Sequence, residues 1–113
     1  MKNDVVYLKH ILDAANQIEG YVRGMTYETF LVTRLVQDGV IRQFEIIGEA
    51  TKNLSDEFRS SHDVLPWKDM AGMRDKLIHQ YFGVDLSAVW DSVENDVPLI
   101  KEKLIEMLRS YGG

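Results

Sequence analysis

Apolar residues recur at helical spacing along nearly the whole of this 113-residue chain, and that pattern excludes most architectures. Val5, Leu8, Ile11, Leu12, Ala15 and Ile18 fall on one face of a helix predicted from about Asp4 to Arg23. Leu31, Leu35, Val36, Val40, Phe44, Ile47, Thr51 and Leu54 do the same on a long second helix predicted from about Tyr27 to Leu54. No stretch alternates with the period of two that a half-buried strand requires. The expectation is an all-α fold: a single domain over residues 1–113, built as an antiparallel bundle of four to five helices.

Boundary residues refine this. Asp4 is a candidate N-cap of the first helix and Gly24 its end. Thr26 is a candidate cap for the second, with Glu28 close behind, and Gly39 is a candidate bend within it. Ser55 to His62 reads as a short helix or turn. Leu65-Pro66-Trp67 opens the next helix, with proline near its first position, and that helix is predicted to run to about Tyr81. Asp85 caps a last helix from about Leu86 to Arg109. Pro98 inside it removes a backbone donor and predicts a kink or break near Asn95 to Val97.

Function is narrowed first by what is missing. The chain has no cysteine, which excludes disulfide and thiol chemistry. His10, His62 and His79 lack metal-ligand spacing, so neither a metal nor a cofactor is expected. No apolar run approaches a membrane span and the N-terminus has no signal-peptide pattern, so a cytoplasmic location is expected. A net charge of −5 argues against broad electrostatic binding of nucleic acid and leaves room for a local basic site.

The segment Met73-Arg74-Asp75-Lys76-Leu77-Ile78-His79-Gln80-Tyr81 concentrates the chemistry. At about 100° per residue on a continuous helix, Trp67, Met70, Ala71, Arg74, Leu77, Ile78 and Tyr81 share one stripe. Arg74 then lies in the middle of a core-facing surface. A guanidinium does not shed its charge, and burying it unpaired is costly. Arg74 therefore needs an anion: a carboxylate such as Glu45 or Glu49, a helix terminus, a partner subunit, or a phosphate. His79 falls roughly 140° round the same helix. Asp75 precedes it at i, i+4, where a carboxylate can hold one imidazole nitrogen. Gly72, on the same side, suits close approach of a backbone or ligand. Each residue also has a plainer reading: an ion pair for Arg74, a capping or solvated histidine for His79, a core aromatic for Tyr81 and a solvated charge for Asp75. Arg42, Glu45 and Glu49 share the face of the second helix opposite its apolar stripe, with Glu49 read as a structural partner of Arg42 or Arg74. Trp67, Met70 and Met73 read as core packing.

The ordered set of motifs is similar to HEPN domains, and specifically to HepT-like toxins. Arg74, four residues and His79 match the R-x(4)-H signature, and Tyr81 extends it to R-x(4)-H-x-Y. Ile47-Gly48-Glu49-Ala50 resembles the family's I-G-E-A segment. Trp67 ahead of Gly72-Met73-Arg74-Asp75 and Leu77-Ile78-His79 resembles its W-x(4)-G-M-R-[ND]-x-L-I-H run, and Val84-Asp85 with Val89-Trp90 resembles the stretch after it. The similarity covers about residues 5 to 109. Many members carry asparagine where this chain has Asp75, whose negative charge opposes phosphate. The resemblance implies a homodimer in which two motif copies form a composite cleft. It implies metal-independent endoribonuclease activity on an RNA substrate, with Arg74 and His79 catalytic and Asp75 supporting. It further implies a toxin–antitoxin pair with a cognate minimal nucleotidyltransferase, which neutralises the toxin by transferring AMP to Tyr81. The alternative from another class is a non-catalytic dimeric partner or substrate subunit of that nucleotidyltransferase.

Overall fold

The structure, a computed structural model, describes residues 2–79 and 83–111. Three long helices dominate it: α1 (Lys2–Tyr21), α3 (Arg34–Lys52) and α7 (Leu86–Ser110). Between them lie the short helices α2 (Tyr27–Leu31), α4 (Asp56–Ser61), α5 (Trp67–Ala71) and α6 (Met73–Leu77), followed by two two-residue strands, β1 (Ile78–His79) and β2 (Gly83–Val84). The fold is an all-α helical bundle with one minimal antiparallel ladder.

The core follows the apolar face expected for the first helix and the later part of the one expected for the second, and adds a face of α7. Leu8, Ile11, Ala15 and Ile18 of α1 pack with Val40, Phe44 and Ile47 of α3 and with Val89, Val97, Ile100 and Leu104 of α7. All are buried. Side-chain removal in such a close-packed interior forfeits both transfer energy and contacts. Trp90 lies against Phe30, with ring centroids 5.0 Å apart, and against Tyr27 at 6.3 Å. That cluster ties α2 to the start of α7.

Several expectations need correction. The long second helix is two helices. Thr33 interrupts it, its Oγ1 donating to Thr29 O at 2.6 Å. The buried Gln37 amide donates to Phe30 O at 2.8 Å, which also accepts from Thr33 N at 3.2 Å, and to Leu31 O at 3.1 Å, bracing the carbonyls at the end of α2. The break shifts the helical phase, so Leu35 is 83% exposed and Leu31 also faces solvent. Gly39 causes no interruption of α3. A Cβ there would stand 3.1 Å from the Tyr21 ring, so its hydrogen makes room for an aromatic. α7 is likewise unbroken across Pro98, which sits on an exposed position. α1 ends at Tyr21, two residues before the expected boundary, and Gly24 lies in the turn that follows, at φ +77°, a region that glycine enters freely.

Asp4 is not the cap of its own helix. It is 3% exposed, in the first turn of α1, and its carboxylate accepts from Ser55 N at 2.8 Å and Ser55 Oγ at 2.9 Å. Ser55 in turn caps α4, accepting from Phe58 N at 3.1 Å. One buried acid thus pins the entry of α4 to the start of α1. Replacing it strands two donors, a loss of about 1–3 kcal/mol. We expect Asp4→Ala to lose that much in a guanidinium denaturation experiment with little change in slope; an unshifted midpoint would show that the pin is not structural.

Candidate active site

The described part of the chemistry-bearing segment lies on α6 and β1, and α5 and α6 pack along one side of α3. Trp67 and Met70 of α5 are buried, and the Trp67 indole donates to His62 O at 2.7 Å. Gly72 then ends α5 with φ −93° and ψ 8°, and α6 starts one residue later. The interruption resets the phase, so Met73 and Leu77 face the core. Arg74 does not lie on the apolar stripe: its side chain is 56% exposed. The expected continuous helix to Tyr81 ends at Leu77 instead. Ile78 pairs with Val84 and His79 with Gly83, and Asp85 N donates to Leu77 O at 3.0 Å. Gly83, at φ +78°, occupies the left-handed region that the return requires.

This changes the local geometry. Asp75 and His79 do not share a helix, so the i, i+4 contact foreseen between them has no helical basis. The Asp75 carboxylate is instead 3.5 Å from Arg74 Nη1 and is 83% exposed. The backbone of His79 forms part of β1. Tyr81, the candidate AMP acceptor, lies outside the described residues.

Arg74 has an anion within this chain. Its Nε donates to Glu45 Oε2 at 3.2 Å, joining α6 to α3. Glu45 Oε1 is 4.0 Å from Arg42 Nη1, so one carboxylate stands between two guanidiniums. These groups, with Gly48, Glu49, Lys52 and Ala71, line a cleft of ≈ 370 Å³ between α3 and the α5–α6 arm. The cleft can bind an anion through Arg74, Arg42 and Lys52, and its three acids (Glu45, Glu49 and the neighbouring Asp75) restrict where that anion sits.

Gly48 makes the arrangement sterically feasible. A Cβ on it would lie 3.3 Å from Ala71 O and 3.4 Å from Met70 O. The end of α5 therefore rests on the backbone of α3, and Arg74, three residues after Ala71, reaches Glu45, three residues before Gly48. Sequence reasoning named Glu45 only as one of several ion-pair partners and gave Gly48 no steric role. The available signal was the 45, 48, 49 spacing, which puts all three residues on adjacent turns of one face.

A profile of the family described as "Ribonuclease HepT-like" matches residues 11–107. "Probable ribonuclease HepT" of Thermococcus cleftensis is 48% identical over 103 residues, covering 91% of this chain and 93% of that protein. A "Putative RNase" of Caldanaerobacter subterraneus subsp. tengcongensis is 41% identical over 109 residues, covering 96% and 97%. A "Gamma-glutamylcyclotransferase and putative RNase" of Methanocaldococcus jannaschii is 47% identical over 109 residues; they are 96% of this chain and 49% of that protein, so this chain spans about half of it. No solved structure matches.

The close approach at Gly48 has a measurable consequence. Gly48→Val inserts a branched side chain against two backbone carbonyls, an overpacking cost of about 1–3 kcal/mol. Chemical denaturation should show that loss, and a stability equal to wild type would mean the α5 carbonyls do not rest on α3.

Proposed function

We propose that this chain, which belongs to the HepT-like ribonuclease family, is a metal-independent endoribonuclease that works as a homodimer and is the toxin of a toxin–antitoxin pair. The observation that carries the reading is Arg74: an exposed guanidinium lining a cleft, held at Nε by Glu45, on the short helix that leads into the His79 strand. That exposure leaves the guanidinium able to reach a phosphate arriving from solvent. The likeness to proteins named as ribonucleases supports the same reaction class.

RNA cleavage by this route needs no metal. The 2′-hydroxyl loses a proton and its oxygen attacks the adjacent phosphorus. The bond from phosphorus to the 5′-oxygen breaks, that oxygen takes a proton, and a cyclic phosphate is left. Histidine changes charge near neutral pH and serves as either base or acid. In the proposed dimer, one protomer's His79 accepts the 2′-proton and the partner subunit's His79 donates to the leaving oxygen. Arg74 holds the non-bridging oxygens, where negative charge builds in the transition state. A two-fold axis brings both motif copies to one cleft. Asp75 sits beside Arg74 as a supporting group that limits its free charge.

Control falls to Tyr81. The cognate minimal nucleotidyltransferase moves AMP from ATP to the phenol oxygen, pyrophosphate leaves, and the phenolic proton goes to solvent. The added phosphodiester brings bulk and negative charge to the motif and blocks RNA. Net charge −5 and Asp75 favour a second reading, a dimeric partner of the nucleotidyltransferase without activity of its own.

Three variants separate the readings in a cleavage assay on total RNA with excess chelator. Wild type should cleave, and His79→Ala and Arg74→Ala should lose at least about 100-fold, with dimer mass and helix content unchanged. Intact RNA with unmodified, dimeric wild type would favour the second reading. Tyr81→Phe should cleave as wild type and resist neutralisation; AMP found by mass spectrometry on another residue would remove Tyr81 from the scheme.

A further inference from the structure

Resting on the reading of Arg74 as the phosphate-binding group, we infer that Glu45 is a positioning residue of the same site, fixing the Arg74 guanidinium so that its terminal nitrogens are presented to the cleft. Three features lead there. The first is which nitrogen is engaged. Glu45 Oε2 takes Nε at 3.2 Å, and Nη1 is 3.5 Å from Asp75. Nη2 donates no hydrogen bond among the described residues. A forked grip on a phosphate uses two parallel N–H groups. An anchor at Nε settles the plane of the guanidinium without occupying both terminal groups.

The second feature is the support. α6 has five residues, too few to be stable alone, and a long exposed side chain on it samples many rotamers. Ordering those rotamers on substrate binding costs free energy. Glu45 belongs instead to the nineteen-residue α3, whose neighbouring residues Phe44 and Ile47 are buried. A carboxylate on that rigid helix orders Arg74 before substrate arrives.

The third is the register. The Gly48–Ala71 approach and the Glu45–Arg74 contact are successive rungs between antiparallel elements, each three residues from the other. Arg42 stands 4.0 Å from the other Glu45 oxygen and is well exposed, so it moderates the carboxylate's charge more than it fixes its place.

The test combines kinetics with a direct measure of Arg74 order in the full-length homodimer. Single-stranded RNA is offered to Glu45→Gln and Glu45→Asp, and Glu45→Gln is repeated in an Arg74→Lys background. Arginine Nε–H relaxation by NMR is recorded for wild type and Glu45→Gln. Glu45→Gln should lower kcat on the order of 10- to 100-fold with KM little changed and helix content intact. Glu45→Asp should recover part of the loss. Lysine has no Nε to hold, so Glu45→Gln should add nothing to Arg74→Lys. The Arg74 Nε–H should be ordered in wild type and mobile in Glu45→Gln. Full or raised activity of Glu45→Gln, losses that add in the double variant, or an Arg74 Nε–H as mobile in wild type as that of exposed Arg109 would each overturn the inference. An active Arg74→Ala protein would overturn the underlying assignment of Arg74, whereas an inactive Arg74→Ala beside a fully active Glu45→Gln would overturn only the role of Glu45.

Discussion

Everything at the candidate site depends on two backbones meeting at Gly48. The α5 carbonyls of Met70 and Ala71 lie where any β-carbon on residue 48 would press. The α5–α6 arm is therefore set by contact with the main chain of α3, which fixes distance more tightly than contact between long side chains. Buried Phe44 and Ile47 on one side, and Trp67, Met70, Met73 and Leu77 on the other, hold both backbones in place. Arg74 and Glu45 then meet as a consequence of that packing.

The ion pairs themselves contribute little to holding the fold. Arg74 and Asp75 are more than half exposed and Glu45 about a third, and pairs at such positions are largely screened by water. The effect proposed for the Glu45–Arg74 pair is on orientation. The buried polar contacts have the opposite balance: Asp4 with Ser55, and Gln37 with the α2 carbonyls, leave costly unsatisfied groups if broken. These polar structural contacts lie inside the molecule, and those of the candidate site lie at its surface.

The same division explains what was legible in the sequence. The all-α class, the core of α1 and the Val40–Phe44–Ile47 face follow from periodicity, because burial of those residues depends only on the helix they sit on. The break at Thr33 was not legible. The carbonyls beside it are braced by Gln37, and neither glycine nor proline marks it. Arg74 was misplaced for a related reason. A stripe counted through Gly72 assumes one continuous helix; the break there turns Met73 inward in its place. The end of α6 at Leu77 depends on Ile78 pairing with Val84, six positions further on, which a helical period does not register. Asp4 was recognised as a cap, but its partner is fifty-one residues away. The identity of Arg74 and His79 as candidates came from motif order and needed no correct helix. The partner of Arg74 was foreseen only as one of several.

Charge bears on how such a site can handle the proposed RNA substrate. A chain of net charge −5 repels a polyanion at long range, so it gains little from the counterion release that drives non-specific binding. Glu45, Glu49 and Asp75 sharpen this around Arg74, because they offset its field within a few ångströms while leaving its hydrogen-bonding geometry intact. Under those conditions the arginine works as an oriented donor more than as a source of attraction. A phosphate gains from it only when its oxygens lie where the fork points. Discrimination then rests on the conformation of one phosphodiester, which suits a flexible single strand that can be turned into the cleft better than a stiff duplex presenting a regular array of charges.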